Sequence, residues 1–239
     1  MDKYIHFDEI DSTSTYLKHN YKDYDTFTFV SANYQSDGHG RNNRNWYGQK
    51  GKDLLFSFLI KDKEIIENYA KLSLICAKTI MELLLEFGIK EISYKWPNDV
   101  YVNGKKICGI LLEGVSYSNN IEAIIIGIGI NVNSFDFPSG IEDIATSIKM
   151  ETMKEYNLEE IKLKAYKILK TNILNFKDSE YITYLRENNY LINKDVYAFY
   201  KNKKELVKVL DINNDNSLKV EMNGDILNIY SGEITFNDD

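Results

Sequence analysis

The stretch Lys95 to Glu113, KWPNDVYVNGKKICGILLE, threads polar groups through what reads as buried sheet. Val100, Tyr101 and Val102 make a short apolar strand, and Asn103-Gly104 is a hairpin-turn dipeptide. The return strand, Ile107 to Leu112, is apolar on both faces and is expected to be central. Lys106 stands at its entrance and Gly109 lies within it. A glycine inside a strand weakens it and often marks where a ligand or another backbone approaches closely. A lysine beside such a gap suits a carboxylate or phosphate; it is equally an edge lysine in water next to a glycine bulge. In Lys95-Trp96-Pro97-Asn98-Asp99 the proline breaks any regular strand and forces a turn. Asp99 is then expected near Lys106 across the hairpin, as a structural ion pair or as a metal-binding or general-base carboxylate beside a cation.

Two other segments carry chemistry-bearing residues. From Gln35 to Lys52, Arg41, Arg44, Lys50 and Lys52 stand against one acid, Asp37. Glycines there let backbone approach an anion, and arginine offers bidentate bonds to phosphate. Trp46 supplies a flat face for a base, or plugs the core beneath a solvated loop. In Ile124 to Asn131, alternation puts Gly127, Gly129 and Asn131 on one face and Ile126, Ile128 and Ile130 on the other. The bare face fits either a flat ligand or a tightly packed helix. Taken together, phosphate-binding arginines, a lysine, a carboxylate and a stacking face suit activation of a carboxylic acid by ATP. Two anions must meet in that reaction, so cations and Mg²⁺ are needed to offset their repulsion.

These groups must be positioned by a chain of 239 residues, enough for one good-sized domain or a larger domain with an appendage. A hydrophobic fraction of 44% is sufficient for a full core, and a formal charge of -7 argues against nucleic-acid binding driven by net charge. Cys76 and Cys108 sit in apolar surroundings and are expected as free buried thiols in a reducing compartment. His6, His19 and His39 lack metal-ligand spacing. The amino terminus does not read as a signal peptide, and no apolar run reaches the ~18 residues of a membrane span. A cytoplasmic protein is expected.

The pattern predicts a helix capped around Asp11 to Ser14, strands at Thr26 to Tyr34 and Leu54 to Ile60, and a helix from Ile65 to Phe87 stopped by Gly88. After the hairpin come a strand over Ile121 to Val132 and helices over Leu158 to Phe176 and Ser179 to Asn189. Short strands then follow at Val196 to Tyr200, Glu205 to Ile212, Ser217 to Glu221 and Ile226 to Ile229, which suggest a small barrel. The boundary is expected near Asn193, giving a catalytic domain over 1–192 and a small domain over 193–239.

On these residues the chain resembles the biotin–protein ligases, the biotin–[acetyl-CoA-carboxylase] ligases. The motifs fall in the family's order: DSTS at Asp11 to Ser14, YQSDGHGRNNRNW at Tyr34 to Trp46, KWPND at Lys95 to Asp99, KKICGILLE at Lys105 to Glu113, GIGINVN at Gly127 to Asn133 and GEI at Gly232 to Ile234. The resemblance implies an α+β fold of the class II aminoacyl-tRNA-synthetase-like/biotin ligase type, a mixed sheet flanked by helices, followed by a small SH3-like β-barrel. It implies that biotin and MgATP give biotinyl-5′-AMP, and that a lysine of a biotin carboxyl carrier domain, of acetyl-CoA carboxylase or another biotin-dependent carboxylase, then takes the biotinyl group.

Carried over position by position, Ser12, Thr13, Gln35 and the backbone at Gly38 would hold the biotin rings. Arg41 would meet the carboxylate or phosphate end, with Arg44 as a further phosphate cation. Lys106 would bridge the biotin carboxylate and α-phosphate, and Gly109 and Gly129 would line the slot. Trp46 would pack on adenine, Asn131 would bond to it, and Asp99 would stand near Mg²⁺ or the incoming amine. Two features depart from the family. His39 replaces the first arginine of the G-R-G-R-x-x-R-x-W loop, with Asn42, Asn43 and Asn45 nearby, and no cation follows the final GEI. DSTS begins after only ten residues, so the expectation is a monofunctional ligase without a DNA-binding domain, with no DNA or membrane partner. Exposed sheet edges could pair with a second copy as a homodimer or with the carrier. Lipoate–protein ligases share the chemistry, but their R-R-x-S-G-G-G-type segment is missing.

Overall fold

The computed structural model describes residues 3–118, 120–175, 180–200 and 203–236. Seven strands build the larger sheet: β1 (Tyr4–Phe7), β2 (Phe29–Ala32), β3 (Leu54–Ile60), β4 (Ile92–Lys95), β5 (Asp99–Val102), β6 (Lys105–Tyr117) and β7 (Asn120–Ile130). Their order is β1-β2-β3-β7-β6-β5-β4. Only the β1–β2 pair is parallel, so the sheet is mixed.

Alternation gives its two faces different duties. Phe56, Phe58, Ile126, Ile128 and Ile130 enter the main core with α3 (Tyr69–Glu86) and α5 (Leu158–Leu174). Tyr166 of α5 stacks on Phe58 at 5.4 Å between ring centroids. On the opposite face α1 (Thr13–Asn20) seals one end, where Leu17 joins Val30, Leu59, Ala123 and Ile125 in a second cluster. The glycine positions further along β7 are not covered by that helix.

Short helices α2 (Lys63–Glu67), α4 (Ile148–Thr152) and α6 (Glu180–Glu187) complete the layers. Ser12, Asp62, Ser147 and Asn157 accept backbone N–H bonds at the starts of α1, α2, α4 and α5, satisfying donors that lack intrahelical partners. The expected helix over 65–87 is two helices, broken at Asn68, whose Nδ2 donates to the Glu64 carbonyl at 2.9 Å. The expected strand over 26–34 shrinks to β2, because Phe27 adopts a positive φ of 64°. Strand β1 and helix α4 had no strong sequence signal. The hairpin at Asn103-Gly104 forms with φ of 50° and 77°, both positive as its tight turn requires.

The carboxy-terminal strands, β8 (Asp195–Tyr200), β9 (Lys203–Ile212), β10 (Leu218–Met222), β11 (Asp225–Ile229) and β12 (Ile234–Thr235), form a five-stranded antiparallel sheet ordered β11-β10-β9-β8-β12. Its outer strands are not paired with each other among the described residues, so the expected barrel is met as an open sheet. This sheet is tied to the KWPND segment through Asn216. Trp96 Nε1 donates to the Asn216 carbonyl at 2.7 Å, and Tyr94 Oη donates to Asn216 Oδ1 at 3.1 Å. Both aromatic rings are fully buried.

Candidate active site

One pairing row crosses the larger sheet through Leu55, Gly129, Gly109, Asp99 and Lys95. Beside it, Ser57, Gly127 and Leu111 form the next row on the same face. These rows floor a cavity of about 710 Å³, walled by the loop 39–46 and the carboxy-terminal sheet.

A β-bulge decides where Lys106 points. Val100 pairs with Cys108, but Tyr101 pairs with Lys106, so Ile107 is an extra residue on β6. Without it, Lys106 and Gly109 would face opposite ways; the bulge aims both at the cavity and buries Ile107 in the core. Lys106 Nζ then lies 2.8 Å from Asp99 Oδ1. The contact is an ion pair without hydrogen-bond alignment, since that oxygen makes no aligned bond. The segment after β7 holds the backbone: Lys106 N donates to the Ile144 carbonyl at 2.8 Å, and Thr146 N to the Lys106 carbonyl at 2.9 Å.

The glycine slot has an occupant from the chain itself. A Cβ on Gly109 would stand 2.7 Å from Trp46 Cζ3, and one on Gly129 would stand 2.7 Å from Trp46 Nε1. Lys106 Nζ is 5.3 Å from the centre of the same indole. Trp46 therefore lies on the glycine floor next to the lysine, and its buried Nε1 has no hydrogen-bond partner among the described residues.

At the α1 end, Gln35 Oε1 accepts from Thr13 N at 2.7 Å and from Thr13 Oγ1 at 2.9 Å. Ser57 Oγ joins this group, 2.7 Å from Thr13 Oγ1 and 2.9 Å from Ser14 Oγ. Gly38 is buried behind Gln35, where a Cβ would meet Gln35 Nε2 at 2.9 Å. The loop is held at two points. Glu233 accepts from Arg44 at 2.7 Å and from Asn42 at 2.5 Å. Glu113 pairs with Lys18 and lies 3.7 Å from His39 Nε2.

Of the sequence-predicted residues, Ser12, Thr13, Gln35, Arg41, Arg44 and Trp46 line this one cavity, as do Asp99, Lys106, Gly109 and Gly129. Gly38 lies behind the wall. Asn131 does not reach the wall either: it is buried, its Nδ2 donates to the Thr146 carbonyl at 2.9 Å, and its Oδ1 has no partner among the described residues. Sequence reasoning missed Lys95, Ser57, Tyr101 and Glu233 as wall residues. Ser57 had a signal, a hydroxyl inside the apolar strand LLFSFLI; Glu233 had none until the carboxy-terminal sheet met the loop. Burial lowers the pKa of Arg41 and of Lys95, with Asp99 acting in the opposite sense on each. Burial thus opposes the charged form of each side chain, and an anion in the cavity would favour it.

Among the described residues, no group of three or more His, Cys, Asp or Glu side chains could hold a metal ion, and no helix is long and apolar enough to cross a membrane. Cys76 and Cys108 are free and buried; burial pushes the Cys76 thiol up to about 12.

The class of protein that owns this mixed sheet and its cation-walled cavity is given by comparison with known proteins. The biotin/lipoate A/B protein ligase family model matches residues 6–131, and this chain belongs to that family. A biotin protein ligase from Aquifex aeolicus, solved in complex with biotin and ATP, superposes with a TM-score of 0.85 at 31% identity over 98% of each chain. The bifunctional ligase/repressor BirA of Bacillus subtilis is 37% identical over 123 residues, which are 51% of this chain and 38% of that protein. A biotin–[acetyl-CoA-carboxylase] ligase of Paracoccus denitrificans is 31% identical over 137 residues, 55% of this chain and 57% of that protein. The match thus spans less than two thirds of these curated relatives.

Proposed function

We propose that the chain is a biotin–protein ligase: it joins biotin to ATP as biotinyl-5′-AMP and transfers the biotinyl group to a lysine of a biotin carboxyl carrier domain. The observation that carries this reading is the central Lys106–Asp99 pair, with hydroxyl and amide groups at one end of the cavity and the cations Arg41, Arg44 and Lys95 at the other. The Aquifex relative, crystallised with biotin and ATP, supports the choice of substrates.

In this reading Ser12, Thr13 and Gln35, backed by Gly38, hold the biotin rings. Lys106 stands between the biotin carboxylate and the α-phosphate and offsets their repulsion. Arg41 and Arg44 take phosphate oxygens. Gly109 and Gly129 keep the slot low, and Trp46 offers its face to adenine. Asn131, set behind the wall with its Oδ1 unpartnered among the described residues, would have to be uncovered to meet the adenine amine. A carboxylate oxygen attacks the α-phosphorus, and the bond to the bridging oxygen breaks with its electron pair leaving on pyrophosphate. The acceptor amine, as a free base, then attacks the acyl carbon and expels AMP, with Asp99 near enough to take its proton. A magnesium ion bound with the nucleotide would be held by Asp99 together with phosphate oxygens and water, the usual pattern for magnesium at phosphates, and would help offset the charge of the phosphates. The same reading takes the open carboxy-terminal sheet as the counterpart of an SH3-like barrel and divides the chain into 1–192 and 193–239.

Incubation with MgATP, an acceptor domain and either labelled biotin or labelled lipoate tests the proposal. Biotin label on the acceptor lysine is expected; label from lipoate alone, or none, would overturn it.

A further inference from the structure

The cavity contains two cations that make no ion pair among the described residues, Arg41 and Lys95. The acids of the wall are otherwise engaged: Asp99 by Lys106 at 2.8 Å, Glu233 by Arg44 at 2.7 Å. Arg41 has a task in the reading above, but Lys95 has none. Its ammonium donates to Tyr101 Oη at 3.1 Å, lies 4.9 Å from the centre of that ring, and is 5.9 Å from the ring of Phe236 in the carboxy-terminal segment. These contacts fix the direction of a long side chain without neutralising it. An unpaired, half-buried charge is costly to keep. Burial accordingly disfavours the ionised amine, and an arriving anion would restore it.

Position says which anion. Lys95 pairs with Asp99, Asp99 with Gly109, and Gly109 with Gly129. With strands ~4.8 Å apart, Lys95 lies roughly 10 Å from Gly109 and roughly 14 Å from Gly129 across the sheet. The Thr13–Gln35–Ser57 group stands on the far side of the glycines, beside β3. Lys106 is between the two ends. For a ligand whose uncharged rings rest on that group and whose reacting carboxylate meets Lys106, β4 is the side of the sheet beyond Lys106 that is open to its remaining negative charge.

We propose that Lys95 is a further binding residue of the reaction, anchoring the β- and γ-phosphates that leave as pyrophosphate. The inference rests on the proposed ligase activity and deepens it by giving the leaving group a site. When the α-phosphorus gains the carboxylate oxygen, the bond to the α,β-bridging oxygen breaks and its electron pair stays on pyrophosphate. Lys95 faces that developing charge while Lys106 stays with the carboxylate and α-phosphate. Tyr101 is a positioning residue for Lys95.

Biotin-dependent exchange of labelled pyrophosphate into ATP tests this in the full chain. Lys95→Met should raise the KM for pyrophosphate and for MgATP at least ~10-fold, the loss of one hydrogen bond to a charged group. The KM for biotin and the rate of transfer from purified biotinyl-5′-AMP to an acceptor should stay near the unsubstituted values, and Lys95→Arg should recover much of the loss. If Lys95→Met does not fold, Tyr101→Phe should show a smaller shift confined to the same two constants. A lysine that only packs between Tyr101 and Phe236 would change the melting temperature and leave the KM for pyrophosphate alone. That result, or an equal rise in the biotin KM, would overturn the inference. No exchange by the unsubstituted protein would instead overturn the ligase reading, and this inference with it.

Discussion

Lys106 and Asp99 meet at 2.8 Å on one face of the hairpin, and one extra residue, Ile107, brings Gly109 to that face beside them. The bulge converts a strand that would send Lys106 away from Gly109 into one that sends both to the same cavity. Polar chemistry is thereby inserted in a buried hairpin without disturbing its apolar face, where Val100, Val102, Ile107 and Cys108 remain in the core.

The glycine floor predicts a steric outcome. Gly129→Ala puts a methyl group 2.7 Å from Trp46 Nε1 and Cζ2, so the indole must move. Forced overpacking costs about 1–3 kcal/mol when nothing can shift. A loop side chain can swing out, so the expected loss of stability is smaller than that range. The emission of Trp46 should move to the red as it meets water, while the fully buried Trp96 stays unchanged. An unshifted spectrum would show that the indole does not rest on the glycines.

Much of this was legible in the sequence. Pairing of Asp99 with Lys106 followed from the Asn103-Gly104 turn, and the bare face of β7 followed from alternation. The occupant of that face did not, because ligand and side chain demand the same absence of Cβ, and only the fold brings Trp46 back over Gly129. The site's boundary toward the carboxy-terminal sheet was equally hidden: Glu233 reaches Arg44 across 189 residues. The setting of Asn131 was hidden for a related reason. Alternation gave its face, but the sheet ends at Ile130 and the amide turns to the Thr146 carbonyl.

The contact of Glu233 with Arg44 and Asn42 should matter more for loop order than for folding. Arg44 is 73% exposed, so breaking the pair in Glu233→Ala should cost less than about 1 kcal/mol in urea unfolding. Proteolysis within the loop 40–46 should nevertheless accelerate, since both side-chain anchors are lost together. A large fall in stability with unchanged loop cleavage would contradict this division.

Asp53 gives a pH dependence of defined sign. It is buried, accepts from Val132 N at 3.0 Å, Gln49 N at 3.1 Å and Ser134 Oγ at 2.6 Å, and fixes the corner after β7. Burial raises its pKa despite these bonds. Between the ordinary and raised values the folded state holds more proton than the unfolded chain, so this group's contribution to stability falls as pH rises through that window. Asp53→Asn should cost about 1–3 kcal/mol at pH 7 through lost acceptor bonds. Its deficit against the unsubstituted protein should widen on acidification toward the window. Urea unfolding across that pH range reads the trend, and a narrowing deficit would reverse the assignment.

The central claim is that Lys106 is the cation at which carboxylate and α-phosphate meet. Biotin-dependent pyrophosphate exchange by Lys106→Ala, with the melting transition recorded in parallel, tests it most directly. Removing one preorganised donor of this kind typically costs ~100-fold or more, so exchange should fall at least that far while the protein still melts cooperatively. Near-normal exchange by the folded variant would contradict the account.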